Sequence, residues 1–162
     1  MKSISYELRY DGATADQVYT MLQDPAFREQ VCDFQGVLRK SVSITTAGDE
    51  MSVKIDQIQA AQGIPSFAKK FVGDEINIVQ EEQWSSPTSG DVKVTIPGKP
   101  GDMSGDVLIA EDDNGTTETV RMDVKVAIPL VGGKIEGLLA DLLTKALRAE
   151  NQVGRQWLAE PA

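Results

Sequence analysis

A chain of 162 residues, 41% of them hydrophobic, is long enough to fold as one domain around a packed core. Its 25 acidic and 16 basic residues give a net charge of −9, which disfavours nucleic acid and anionic membranes because phosphate binding is mainly electrostatic. The sequence contains no histidine, which excludes Ser-His-Asp and Cys-His catalysis and most zinc sites. Catalysis would therefore depend on carboxylates, Lys, Tyr, Arg or the thiol of Cys32.

Cysteine usage and hydropathy indicate the compartment. A single cysteine cannot form an internal disulfide, which favours a reducing environment. The first residues, MKSISYELRYDG, lack the continuous apolar stretch of a secretory signal, and the apolar run at 126–131 is too short to span a bilayer. We therefore expect a cytoplasmic protein without integral membrane association. No cofactor or metal is expected, because no phosphate loop, dinucleotide fingerprint or cysteine cluster occurs.

The beginning of the chain predicts one strand and two short helices. Alternating apolar and polar residues predict a strand that ends at Asp11-Gly12. Thr14 and Gln17 have the spacing of a capping box, which predicts a helix of about two turns. Asp24-Pro25 then supplies a cap and a first-turn proline for a second short helix, which ends near Cys32.

The middle of the chain predicts six further strands. The segment 37–46 and the residues from Met51 onward form a predicted hairpin around a turn at 47–49. The segment 60–73 breaks the pattern and predicts a loop with about one helical turn. Strands separated by turn-rich segments are then predicted over residues 75–84, 91–96, 103–110 and 117–128.

One long helix is predicted over residues 133–159. Apolar residues recur at helical spacing from Ile135 to Trp157. Pro129 ends the last strand, and Gly132-Gly133 turns the chain into the helix. A long apolar helix after seven antiparallel strands predicts an α+β fold in which one curved seven-stranded sheet wraps the C-terminal helix. Residues 1–162 are expected to form a single domain.

The passage VKVAIPLVGGKIEGLLADLLTKALRAENQVGRQWL, residues 124–158, resembles the uncharacterised domain-of-unknown-function family 2505. The element order resembles the helix-grip fold of the START-like (SRPBCC) superfamily, which includes birch-pollen-allergen-type proteins and polyketide cyclases. This resemblance implies a hydrophobic cavity, used in that superfamily to bind lipids, sterols or polyketides, to cyclise polyketides, or to bind proteins. It implies no shared catalytic residues. The matching positions are Pro129, Gly132-Gly133, Lys134, Glu136, Glu150 and Trp157-Leu158.

Glu150 is the sequence's most unusual candidate. It falls inside the apolar arc of the last helix, between Ala146 and Val153. A carboxylate on the covered face of a helix is unfavourable unless it is paired or protonated. Glu150 could thus be a polar anchor or an acid/base group with a raised pKa. Alternatively it belongs to a structural ion pair, with Lys40 or an arginine as partner.

Other candidates follow from strand phase and from the long loop. Lys40, Gln80 and Glu82 share a face with apolar neighbours, so they could converge on the cavity, although strand ends could also lead them to solvent. Phe67 and Phe71 are i, i+4 neighbours in the 62–73 segment, which could act as a lid. The candidate ligand-binding residues are Tyr6, Tyr10, Lys40, Phe67, Phe71, Gln80, Glu82, Trp84, Met122, Leu139, Leu142, Glu150, Val153 and Trp157.

Three functions remain open from the sequence. The favoured one is non-enzymatic binding of a small hydrophobic, lipid- or polyketide-like ligand, since no catalytic constellation occurs. The second is a cyclase- or hydrolase-type enzyme that uses Glu150 with Tyr6 or Tyr10 as acid/base groups. The third is a protein-interaction module whose cavity is filled by its own side chains. A cavity of roughly a few hundred cubic ångströms would favour the first two. The oligomeric state is left open.

Overall fold

The computed structural model describes residues 1–160. Within that range the helices and strands follow the predicted order, and their ends differ from the prediction by a few residues. They are β1 (Lys2–Asp11), α1 (Ala15–Leu22), α2 (Pro25–Phe34), β2 (Arg39–Ala47), β3 (Glu50–Ala60), α3 (Ser66–Val72), β4 (Glu75–Ser86), β5 (Ser89–Thr95), β6 (Asp102–Asp112), β7 (Gly115–Lys125) and α4 (Gly132–Ala159).

All seven strands form one antiparallel sheet in the order β1-β7-β6-β5-β4-β3-β2. Strands that are neighbours in sequence from β2 to β7 are also neighbours in the sheet, and β1 lies beside β7 at one edge. Alternation along β3, β5, β6 and β7 buries one face of the sheet, and α4 covers that face where it packs on β1 and β7. This arrangement confirms the predicted helix-grip fold.

The first two helices begin where the sequence predicts. The Thr14 hydroxyl accepts a hydrogen bond from the backbone nitrogen of Gln17, and the Gln17 side-chain oxygen accepts one from the backbone nitrogen of Thr14, which completes the capping box. Asp24 caps α2 by accepting from the Ala26 nitrogen. Cys32, on the last turns of α2, is 3% exposed, and burial raises the pKa of its thiol.

The segment predicted as a loop with one helical turn contains a longer helix. α3 has seven residues. Its N-cap residue is Pro65, which makes no side-chain hydrogen bond to the helix. Gly73, at a φ of 81°, ends the helix because glycine adopts the left-handed region without strain. Ala68 and Val72 are buried, so α3 is anchored by one short apolar face.

The connection from β7 to α4 depends on a close backbone approach. A Cβ atom on Gly132 would lie 2.5 Å from the carbonyl oxygen of Val126, so only glycine fits there. The Glu136 carboxylate accepts a 2.8 Å hydrogen bond from the Val126 nitrogen. These two contacts fix the first turns of α4 against the end of β7. No helix within residues 1–160 is long and apolar enough to cross a membrane.

Candidate functional site

A cavity of about 590 Å³ lies between the sheet and the middle of α4. Its inner wall is apolar, with Ile76, Val94 and Met103 from the strands facing Leu139 and Leu142 of α4. This volume falls within the range of small-molecule sites. The cavity is thus not filled by the protein's own side chains, which removes the premise of the interaction-module hypothesis.

The rim of the cavity is more polar than its inner wall. Phe34, at the end of α2, is 51% exposed, and Gln62 and Ile64 contribute from the segment before α3. Lys145 and Arg148 approach from α4, and both are exposed. Six glutamines are among the residues that line the cavity: Gln35, Gln57, Gln59, Gln62, Gln80 and Gln152.

A buried ion pair lies next to this cavity. Arg28 of α2 and Glu82 of β4 are 3% and 6% exposed. Arg28 donates two hydrogen bonds, of 2.8 and 2.9 Å, to the two carboxylate oxygens of Glu82, and its Nε donates to the Leu22 carbonyl oxygen. Burial disfavours the charge on Glu82, but Arg28 outweighs it and lowers the pKa of this carboxyl. Glu82 is therefore ionised.

Two further donors complete the environment of Glu82. Trp84 donates from Nε1 at 2.9 Å, and Gln80 donates from its side-chain amide. The Trp84 ring occupies the space above Gly90, where a Cβ atom would lie 2.8 Å from it. Because Gln80 also lines the cavity, it is the physical link between the cavity and the ion pair.

Glu150 of α4 lies beside the same arginine, as its position in the apolar arc predicts. Its carboxylate is 3.8 Å from Arg28 Nη1, and its side chain is 14% exposed. Burial raises the pKa of Glu150 to about 7, because Arg28 is already held by Glu82 and only partly offsets the desolvation.

Of the two partners predicted as alternatives for Glu150, the structure brings an arginine, Arg28, near it, and Lys40 is not its partner. Lys40, near the start of edge strand β2, donates a 2.6 Å hydrogen bond to Asp33 of α2. That bond raises the pKa of Lys40. Lys40 lies on the same face of β2 as Val42 and Ile44. At this edge of the sheet that face packs against α2, so the Lys40 ammonium group binds Asp33 of α2 and stays partly exposed.

Glu118 of β7 was missed by the sequence analysis. It is 3% exposed, and its Oε1 atom has no hydrogen-bond partner among the described residues. Burial, and then the neighbouring Glu150, raise the pKa of Glu118 well above its ordinary value. The signal was present in the sequence, because Glu118 alternates in phase with Val120, Met122 and Val124.

Tyr10 of β1 lies in the same buried region. Its side chain is 1% exposed, and its hydroxyl lacks a hydrogen-bond partner within residues 1–160. Burial and the charges of Glu118 and Glu150 raise the pKa of Tyr10. We call Arg28, Glu82, Glu118 and Glu150 the buried charge cluster, and Tyr10 adjoins it.

The other candidates occupy three kinds of position. Of the fourteen candidates, Gln80, Leu139 and Leu142 line the cavity within the described chain. Trp157 packs edge-to-face on Phe27, with ring centroids 5.6 Å apart. Contact with a ligand stays a prediction for the remaining apolar candidates, which pack in or against the core: Tyr6, Phe67, Phe71, Trp84, Met122 and Val153.

Arg28 was also not among the candidate residues predicted from the sequence. It belongs to a short helix of mixed polarity, where an exposed arginine is the usual outcome. The available signal was its spacing of four residues from the buried Cys32, which places both on one helical face. No group of His, Cys, Asp or Glu within residues 1–160 is arranged to hold a metal ion.

The antiparallel sheet and the long C-terminal helix that it wraps, with a cavity between them, make up the helix-grip fold of START-like proteins. The chain belongs to the family described as a protein of unknown function, DUF2505, whose model matches residues 5–158. Uncharacterized proteins of Mycobacterium tuberculosis and Mycobacterium bovis are 21% identical to it over 120 residues, which is 69% of each chain.

Solved structures share this fold at low sequence identity. The protein TTHA0849 from Thermus thermophilus is 15% identical, with a TM-score of 0.67 over 99% of this chain and all of its own. Norcoclaurine synthase from Thalictrum flavum is 14% identical, with a TM-score of 0.62 over 99% and 87%. The di-domain ARO/CYC BexL, from the BE-7585A biosynthetic pathway, is 17% identical, with a TM-score of 0.63 over 99% and 51%. At these identities the likeness extends to the fold alone.

Proposed function

We propose that this protein binds a small hydrophobic ligand in the cavity between the sheet and α4. The observation that carries the proposal is a 590 Å³ space with an apolar inner wall and amide side chains around it. Transfer of an apolar molecule from water onto such a wall is favourable, and the glutamine amides can fix its orientation by hydrogen bonds.

Solved proteins of the same fold are consistent with this use. Norcoclaurine synthase from Thalictrum flavum has been solved in complex with dopamine and hydroxybenzaldehyde, and it matches 99% of this chain with a TM-score of 0.59. That enzyme binds small aromatic molecules. For the present protein, the kind of ligand has to be inferred from the residues that line its own cavity.

Blocking the cavity tests the proposal. Ala146 lines the cavity on α4, so Ala146→Trp fills part of the space that a ligand needs. We expect the neutral fluorophore N-phenylnaphthylamine to bind the wild type and to bind this variant at least about tenfold more weakly. Gln156→Trp, on an exposed position of α4, is the matched control and should keep wild-type affinity.

Two results would contradict the proposal. One is equal binding of the fluorophore to the Ala146→Trp variant and the wild type, and the other is no binding to the wild type. Native mass spectrometry of the purified protein, with release of any bound apolar molecule, would identify the natural ligand directly.

The buried charge cluster favours a second candidate function, a cyclase- or hydrolase-type enzyme with Glu150 as acid/base group. A carboxyl whose pKa lies near 7 can accept or donate a proton at physiological pH. Gln80 connects the cluster to the cavity, and Tyr10 adjoins the cluster. This constellation is what distinguishes the site from a plain apolar pocket.

A generic proton-abstraction probe tests this second function. Ring opening of nitrobenzisoxazole requires only one base and releases a coloured phenolate. We expect turnover above the buffer rate that rises with pH through about 7, as Glu150 loses its proton. Glu150→Gln should abolish the protein-dependent rate, whereas Glu29→Gln, on an exposed position of α2, should retain it. An equal rate in both variants would rule out Glu150 as the base.

A further inference from the structure

The charged side chains that line the cavity are all cationic within the described chain. They are Lys145 and Arg148, which both belong to α4. The sequence as a whole has 25 acidic and 16 basic residues, so a random sample of its charges would be mostly negative. The opening thus carries two cations and no carboxylate within the described chain, on a protein with a net charge of −9, so its local potential favours an anion.

Neither of these two cations has a structural partner within the described part of the chain. Lys145 and Arg148 form no ion pair or side-chain hydrogen bond with residues 1–160. Some other exposed cations do have such roles: Lys134 lies over the Phe67 ring at 5.9 Å, and Arg155 donates to the Arg9 carbonyl oxygen. The rim cations are thus available to a bound molecule.

Their spacing suits a single anionic group. Lys145 and Arg148 are three residues apart on α4, and side chains at that spacing are neighbours on a helix surface. Ala146 and Ala149, which also line the cavity, lie within the same turns. The guanidinium fork of Arg148 matches the geometry of a carboxylate or a phosphate, and the Lys145 ammonium adds a second charge.

We propose that the ligand is an apolar molecule with one anionic group, a carboxylate or a phosphate, which Lys145 and Arg148 bind at the rim. This inference rests on the proposed function, because the apolar body of the ligand occupies the same cavity. The inner wall excludes water from the apolar part, while the anionic group remains at the solvent boundary, where its desolvation is small.

Matched amphiphiles test the charge preference. Calorimetric titration would compare dodecanoate, dodecyl phosphate, dodecanol and dodecylamine, each below its micelle concentration, at low ionic strength. We expect the two anions to bind about tenfold more tightly than dodecanol, and dodecylamine to bind most weakly. The two anionic arms also show whether a carboxylate or a phosphate is preferred. The advantage of the anions should shrink in high salt, because exposed charges are screened.

The double variant Lys145→Gln, Arg148→Gln assigns the preference to the rim. It should bind dodecanol like the wild type and lose the advantage of the anions. Lys93→Gln removes a cation from the outer face of the sheet and should change neither affinity. Circular dichroism of each variant, at the temperature of the titration, checks that the fold is retained.

The outcomes separate the inference from the proposed function. Equal binding of dodecanol and the anions to the wild type, or tightest binding of dodecylamine, would overturn the anionic inference and leave a hydrophobic binding site. An anion preference that survives in the double variant would also overturn it. If none of the four amphiphiles binds the wild type while N-phenylnaphthylamine does, the anionic inference fails and cavity binding stands; if the fluorophore does not bind either, both fail.

Discussion

Arg28 is the one cation of the buried charge cluster, and three carboxyl groups surround it. Glu82 accepts two hydrogen bonds from it, and Glu150 lies 3.8 Å away. Glu118 is close enough for the charges of Arg28 and Glu150 to shift its pKa. One guanidinium cannot neutralise three buried carboxylates, so at least one of them carries a proton near neutral pH. Glu118 and Glu150, with their raised pKa values, are the carriers.

The protonation of Glu150 predicts a pH dependence of stability. The folded state keeps this proton up to about pH 7, whereas the unfolded chain releases it near its ordinary pKa of 4.5. Between these values the unfolded state binds fewer protons, so the free energy of unfolding falls as pH rises through that window. Glu150→Gln cannot ionise and should be more stable than the wild type at pH 8, by about 3 kcal/mol.

Urea unfolding at pH 5, 6, 7 and 8 measures this effect. The wild-type free energy of unfolding should decline over the series, and that of the Glu150→Gln variant should decline less. The difference between the two proteins should be smallest at pH 5, the value nearest to the ordinary pKa of 4.5, below which Glu150 is neutral in both states. A variant that is less stable than the wild type at pH 8 would mean that Glu150 is ionised and paired with Arg28.

Glu82→Gln should have the opposite effect on stability. It leaves the Arg28 cation buried without its two hydrogen bonds to a carboxylate, near the more distant Glu150 and Glu118, and breaking such a buried pair costs about 3 kcal/mol or more. Glu75→Gln is the matched control, because the Arg39–Glu75 pair is exposed and its loss should cost less than about 1 kcal/mol. Similar losses in thermal or urea unfolding would argue against a structural role for the buried pair.

At the scale of elements, two glycines of α4 meet different surroundings. Gly137 has open space where a Cβ atom would be, whereas a Cβ on Gly154 would lie 2.7 Å from the Tyr10 ring. Gly137→Ala should therefore stabilise the protein by about 0.5–1 kcal/mol through helix propensity. Gly154→Ala should destabilise it by about 1–3 kcal/mol, because the fully buried Tyr10 cannot move aside.

Urea unfolding of the two variants under one set of conditions checks this contrast. The same Gly-to-Ala change in the same helix should shift the unfolding midpoint in opposite directions. A stabilising effect at both positions would show that β1 can move away from α4. That result would also weaken the case for a tightly packed region around Tyr10.

The short helix α3 is the element expected to move when a ligand enters. It follows directly on Gln62 and Ile64 at the cavity rim, and its first turn lacks a side-chain cap. Hydrogen exchange should be faster in residues 66–72 than in β3 and β4, and N-phenylnaphthylamine should slow it. Amides of β7 serve as the internal reference. Protection of α3 equal to that of the central strands, with and without the fluorophore, would contradict the lid hypothesis.

Elements with local signals could be predicted from the sequence. The capping box at Thr14 and Gln17 and the Asp24-Pro25 start of α2 depend on neighbours within one turn, so the pattern is sufficient. The apolar period of α4 placed its start within one residue of Gly132. The length of α3 was underestimated, because its seven residues make too few turns for a clear period.

At the scale of the whole molecule, the cavity could be predicted but its charged neighbourhood could not. The fold implied a space beneath α4, and strand phase placed Gln80 and Glu82 on its side. The cluster joins residues from α2, β4, β7 and α4, which are far apart in sequence. No local pattern shows that Arg28 and Glu82 meet, since their pairing follows from how α2 packs between the sheet and α4.

The position of Cys32 allows its thiol to report how often α2 separates from the rest of the protein. It is the single cysteine of the chain, it is buried, and it lies one helical turn after Arg28 on α2. An aromatic thiol reagent can reach it only when α2 separates from its neighbours, so the labelling rate measures how often this helix detaches. A substitution that loosens the hold on Arg28 would accelerate labelling long before global unfolding is detectable. A ligand that holds the end of α2 in place would slow it.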